Sequence, residues 1–141
     1  MISISFLSHE VRGLLLDDVI NSVPRLISEE GKETGEVSII LCTDEELLAI
    51  NQKHLQHDFF TDIISFDYSS GSYIAGDLYV SYERIRDNAA IFNTAEDEEF
   101  RRVVFHGVLH LLGYNDKTDE EKTVMTEKEN HYLAKLFHVK H

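Results

Sequence analysis

The chain has one cysteine, one proline and no tryptophan in 141 residues, and only 13 Lys and Arg against 26 Asp and Glu. A single thiol, Cys42, allows no internal disulfide and no thiolate zinc site. That leaves histidine and carboxylate as the candidate metal ligands and fits a reducing compartment. With Pro24 alone, no proline-rich linker divides the chain, and no repeat or low-complexity tract is found. The longest clean apolar stretch, Ile39-Ile40-Leu41-Cys42, falls far short of the roughly 20 residues that span a bilayer. The opening alternation of Ile2, Ile4 and Phe6 lacks the charged head and apolar body of a signal peptide. The expectation is a cytoplasmic protein with no membrane partner. The scarcity of cations gives a formal net charge of -13, a field that repels polyanions and excludes a basic nucleic-acid-coating module. Any nucleic acid would have to be held through a local patch or a metal ion.

What is present is enough for one core. With 43% hydrophobic residues and this length, the expectation is a single domain over residues 1–141. Its pattern alternates strand and helix. Ile2 to Phe6 reads as a strand, and Val11 to about Glu30 as a helix that Pro24 should kink or divide. Glu36 to Cys42 reads as a central strand, and Thr43 with Glu46 forms a capping box that opens a helix through Asn51. Asp62–Asp67 and Tyr73–Ser81 supply two more strands, with a bulge expected at Gly76. Helices follow at about Tyr82 to Asn93, at Ala95 to Leu112 with Thr94 as cap, and from a Thr118/Glu121 capping box to about Phe137. The fold class predicted is α+β, a small mixed sheet of about four strands with about five helices.

The most informative segment is Phe105-His106-Gly107-Val108-Leu109-His110-Leu111-Leu112-Gly113-Tyr114-Asn115-Asp116. Four residues separate His106 from His110, so a helix stacks their imidazoles on one face, within joint reach of a metal ion. The neighbours Val103, Val104, Phe105, Val108, Leu109, Leu111 and Leu112 predict burial nearly all round, where two uncompensated imidazoles are costly. A shared cation is the simplest compensation, and two separately satisfied core histidines are the competing reading. Gly107 leaves space for another backbone or a substrate to approach, and Gly113 turns the chain so that Asp116 can return to the same ion. Three protein ligands with an open position is the arrangement of a catalytic metal. Gly107 also stands where H-E-x-x-H metalloproteases carry their general base, which disfavours peptide hydrolysis by that route.

At these residues the chain resembles the YbeY-type rRNA maturation factors, metal-dependent bacterial endoribonucleases with a metalloprotease-like α+β fold. The family motif H-G-x-L-H-L-x-G-Y-D-H is matched by His106, Gly107, Leu109, His110, Leu111, Gly113 and Tyr114. The resemblance continues at Asn51, at Thr61-Asp62-Ile63-Ile64-Ser65-Phe66, at Gly76-Asp77-Leu78-Tyr79-Val80-Ser81 and at Met125 and Glu129. It implies that His106 and His110 bind one zinc ion (Zn2+) per chain and that His106 is also catalytic. The third metal ligand becomes Asp116 where the family usually has His, a harder donor that leaves the choice of metal open. A second departure is Leu55, which stands where the family usually has an arginine tied to RNA cleavage. Lys53, His54 or His57 are candidates to substitute, against the alternative of a solvated polar loop.

Further candidates are Asp62 and Asp77 as hydrogen-bond partners of a ligating imidazole, with turn capping as the alternative, and Ser65, equally a packing residue. Arg84, Arg86, Arg101 and Arg102 are the best source of a local basic patch, against ordinary surface arginine. His9, His131, His138 and His141 are not assigned to the site. The resemblance implies a single-strand endoribonuclease in rRNA 3′-end maturation and ribosome assembly. Its expected partners are rRNA on a ribosomal particle and a ribosomal protein or GTPase. The alternatives are a non-catalytic metal-containing assembly factor, and a metal-dependent hydrolase of small amides or phosphoesters.

Overall fold

A computed structural model describes residues 1–8, 10, 14, 16–55 and 61–137. The element order is β1 (Ile2–Phe6), α1 (Leu16–Glu29), β2 (Glu33–Cys42), α2 (Asp44–Leu55), β3 (Ile63–Asp67), β4 (Tyr73–Ser81), α3 (Tyr82–Phe92), α4 (Glu96–Leu111) and α5 (Asp119–Leu136). The four strands form one mixed sheet in the order β1-β2-β4-β3. β1, β2 and β4 run parallel, and β3 pairs antiparallel with β4 at the edge. The expected α+β class, with five helices and a four-stranded mixed sheet, is what the chain adopts.

Strand alternation divides the core between the two sheet faces. Val37, Ile39 and Leu41 of β2 and Ile74, Leu78 and Val80 of β4 are buried in the main core with residues of α1, α4 and α5. A smaller cluster of Cys42, Leu47 and Ile64, flanked by Ile50, Phe66 and Tyr79, lies under α2. Burial pushes the Cys42 thiol up to about 12, with the charges of Glu46 and Asp44 adding to the effect, so this cysteine is an inert core residue.

Local signals that depend on neighbouring residues hold closely. Thr43 and Glu46 exchange hydrogen bonds of 3.1 and 2.9 Å at the start of α2. Thr118 and Glu121 do the same at 3.1 and 3.0 Å at the start of α5. Four expectations are met in part or not at all. Pro24 does not divide α1, which continues to Glu29; residues 11–13 and 15 of the longer expected helix lie outside the described residues. The register shift lies between the pairs Thr34–Ile74 and Val37–Gly76, so Gly76 borders the irregularity but the extra residue is in β2, not β4. Gly76 is instead a close approach, since a Cβ there would stand 2.5 Å from the Phe66 carbonyl oxygen. The N-cap of α4 is Ala95, without a side-chain cap, one position later than expected, while the Thr94 amide closes the end of α3 on the Ala89 carbonyl at 2.9 Å. Finally, α2 runs four residues past Asn51 to Leu55.

Candidate metal centre

The site is built on the C-terminal half of α4. Val103, Val104, Phe105, Val108 and Leu109 are buried there, and Gly107 lets α4 lie against the sheet. A Cβ at Gly107 would stand 2.6 Å from Ile63 Cδ1 and 3.1 Å from Leu78 Cδ2, so β3 and β4 side chains fill the space expected for a backbone or substrate. His106 and His110 occupy the more open side of the helix, with side chains 25% and 27% exposed. Their rings meet edge to face with centroids 4.6 Å apart.

Helix termination brings in the third donor. The Gly113 amide bonds the His110 carbonyl at 3.0 Å and the Tyr114 amide bonds the Leu109 carbonyl at 3.0 Å, a Schellman pair that needs the positive φ of Gly113, 102°. The chain thereby reverses and sets Asp116 Oδ2 3.1 Å from His106 Nε2 and 3.4 Å from His110 Nε2. The two Nε2 atoms are 3.0 Å apart. Among the described residues, His106, His110 and Asp116 are the group of histidine and carboxylate side chains able to share a metal ion.

The donor set fits such an ion. Donors about 2.0–2.1 Å from a tetrahedral zinc stand about 3.3 Å from one another. The observed separations of 3.0, 3.1 and 3.4 Å lie close to that. The far nitrogens are already occupied, His106 Nδ1 by Glu129 Oε2 at 2.7 Å and His110 Nδ1 by the Tyr114 carbonyl at 2.9 Å. Burial works to depress the His106 imidazole, but the hydrogen bond and charge of Glu129 and the charges of Asp62 and Asp116 outweigh it and raise its pKa.

The imidazole partner is thus Glu129, 23 positions away on α5, and neither of the strand aspartates proposed for that role. Asp62 acts on His106 only through its charge; burial raises its own carboxyl pKa despite that neighbour. Asp77 alternates with the buried Gly76 and Leu78 on β4, lies on the opposite sheet face and interacts with Tyr68. No spacing rule links Glu129 to His106. The sequence signal that existed was its place in the helix after the motif.

The basic patch does not form, because each of its four arginines is engaged by a carboxylate. Arg84 pairs with Asp44 at 3.0 Å and with Asp87, and Arg86 with Glu96 at 3.6 Å. Arg101 pairs with Asp18 at 2.8 Å and Arg102 with Glu129 at 3.1 Å. Lys53 and His54 belong to the last turn of α2, where the His54 ring meets Phe66 edge on at 5.7 Å, instead of a loop. Leu55 ends the same helix, and His57 lies outside the described residues. His131 packs against Tyr132, apart from the site.

Residues 8–137 match the family model described as endoribonuclease YbeY. A protein named endoribonuclease YbeY from Flavobacterium psychrophilum is 52% identical over 121 residues, covering 86% of each chain. Another of that name from Bacteroides thetaiotaomicron is 41% identical over 132 residues, covering 90% of this chain and 96% of the relative. The solution structure of TM1509 from Thermotoga maritima superposes with a TM-score of 0.68 at 28% identity, over 96% of this chain and 89% of the other. A family match over residues 8–137, with relatives of that name 41–52% identical over most of their length, makes this chain a member of the endoribonuclease YbeY family.

Proposed function

We propose that this protein is a metal-dependent endoribonuclease that cleaves single-stranded RNA, with zinc held by His106, His110 and Asp116. The observation that carries the reading is the convergence of the three donor atoms within 3.0–3.4 Å on the partly open side of an otherwise buried helix. A divalent ion in such a site supplies positive charge to a phosphate oxygen and lowers the pKa of water toward 7. The protein's part is to hold two neutral imidazoles and one carboxylate together, and to keep the Nδ1 atoms engaged so that Nε2 faces the ion. Asp116 brings a negative charge that a third histidine would not, which favours a harder ion and tempers the site's net charge.

The biological substrate we infer is rRNA presented on a ribosomal particle in the cytoplasm, during 3′-end maturation and ribosome assembly, with a ribosomal protein or GTPase as partner. Two observations support presentation over free capture. The formal charge is -13, and the four arginines expected to form a basic patch, Arg84, Arg86, Arg101 and Arg102, are engaged by carboxylates. Binding to bare RNA should then be weak and salt-sensitive. Among the described residues, no helix is long and apolar enough to cross a membrane.

The same arginine pairing, with Leu55 in place of the family arginine, favours as second reading a non-catalytic assembly factor that keeps the metal for structure. One experiment separates them: metal content and cleavage of single-stranded RNA, measured on the same nuclease-free preparations of wild type, His106→Ala, His110→Ala and Asp116→Ala. Metal and cleavage lost together support the enzyme. His106→Ala protein that cleaves at the wild-type rate overturns it, and metal-loaded wild type that never cleaves supports the assembly factor.

A further inference from the structure

The Glu129 carboxylate bridges two donors that sit one turn apart on α4. Its Oε1 accepts from Arg102 Nη1 at 3.1 Å and its Oε2 from His106 Nδ1 at 2.7 Å. Arg102 is held in turn by Asn130, the next residue of α5, whose Oδ1 accepts from Nη2 at 2.8 Å. The Glu129 side chain is only 9% exposed, so water does not readily replace either partner. Arginine is always charged and can only donate. An ionised carboxylate can only accept, and with one oxygen turned to Arg102 the other is left facing Nδ1, where it favours a proton on that nitrogen.

We propose that Glu129 is a positioning residue that fixes the Nδ1–H tautomer of His106, with Arg102 holding its orientation, so that Nε2 presents its lone pair toward His110 and Asp116. The three groups form one arrangement spanning α4 and α5: Arg102 sets the carboxylate, the carboxylate sets the imidazole proton, and the imidazole proton sets which nitrogen is a ligand. His110 is set differently, by a main-chain carbonyl that no substitution removes. His106 is therefore the ligand whose orientation a side-chain change can alter. The inference rests on the metal-site reading, but the ring tautomer can be measured in metal-free protein, so the two fail separately.

Glu129→Gln is the decisive variant, because it keeps shape and removes one acceptor. Gln has a single oxygen, which Arg102 claims, leaving the NH2 group facing His106 Nδ1. The ring should then switch to the Nε2–H tautomer and turn a donor toward the metal position. The double variant Arg102→Met/Glu129→Gln releases the amide oxygen to His106 and should restore the Nδ1–H form. Imidazole 15N shifts, recorded on metal-free protein above the histidine titration range, read the tautomer directly. Zinc titration of the same samples should show a fall of about 10- to 100-fold in affinity for Glu129→Gln and recovery in the double variant. An unchanged Nδ1–H tautomer in Glu129→Gln overturns the proposal, as does a double variant that stays Nε2–H while retaining its fold. Wild-type protein that shows the Nδ1–H tautomer but binds no zinc overturns the metal site instead.

Discussion

The Tyr114 hydroxyl donates to Glu30 Oε1 at 2.5 Å, tying the turn that carries Asp116 to the end of α1, 84 positions earlier in the chain. Glu30 also accepts from Tyr132 and pairs with Lys128 at 3.1 Å, both on α5. The Tyr114 carbonyl meanwhile receives His110 Nδ1. One residue thus couples the site to the two helices that frame it. Tyr114→Phe should cost about 1.5 kcal/mol of stability in urea unfolding and weaken zinc binding. Full retention of zinc affinity would show that the turn holds Asp116 without this anchor.

Metal binding should stabilise the fold. An ion that binds the native state alone, at 100 times its Kd, adds about 2.7 kcal/mol. Thermal unfolding of wild type with zinc and with chelator should differ accordingly, and Asp116→Ala should abolish the difference. An equal zinc response in Asp116→Ala would remove Asp116 from the ligand set.

Glu99 sets a pH dependence of definite sign. It is 6% exposed, and burial, reinforced by the charge of Asp62, raises its pKa above 4.5 although Arg102 and Asn88 oppose this. A carboxyl whose folded pKa is raised contributes stability below its unfolded pKa and loses it as pH rises through the folded value. Glu99→Gln should therefore be more stable than wild type at neutral pH, with the advantage vanishing below about pH 4.5. Equal stabilities at neutral pH would contradict this.

Glu30 has the opposite sign. Burial works to raise it, but hydrogen bonds from Tyr114, Tyr132 and Lys128 prevail and lower its pKa below 4.5. Its contribution is present above 4.5 and is lost as pH falls through the lowered value. Glu30→Gln should be less stable than wild type at neutral pH, and acid unfolding curves of the two should converge at the lowest pH. Parallel curves throughout would count against the assignment.

The two close-packed glycines should differ in cost. At Gly107 a methyl meets the ends of flexible side chains, so overpacking of about 1–3 kcal/mol is partly offset by the gain of about 1 kcal/mol in helix propensity. At Gly76 it meets the Phe66 carbonyl oxygen at 2.5 Å as well as Leu111 Cδ2 at 2.7 Å, and a strand offers no such offset. Gly76→Ala should therefore be the more destabilising in urea unfolding. The reverse order would mean that β3 yields more easily than Ile63 and Leu78.

Much of the molecule was legible because its signals are local. The two capping boxes, the i,i+4 histidine pair and the Gly113 turn each involve residues within a few positions, where backbone geometry fixes what can meet. The Thr94 cap and a division at Pro24 are expected on the same local grounds. Which residue turns the chain into a helix, and whether a proline divides one, also depend on packing along the element.

From sequence alone came the α+β class, the helix with the histidine pair and the return of Asp116, because periodicity and turn chemistry act over a few residues. Only the tertiary structure decided that Glu129 backs His106, that Glu30 anchors Tyr114 and that the four arginines pair with carboxylates. Those pairings join residues on different elements. Burial and the crossing of α1, α4 and α5 choose the partner there, and no spacing in the chain encodes which of 26 carboxylates each donor will meet.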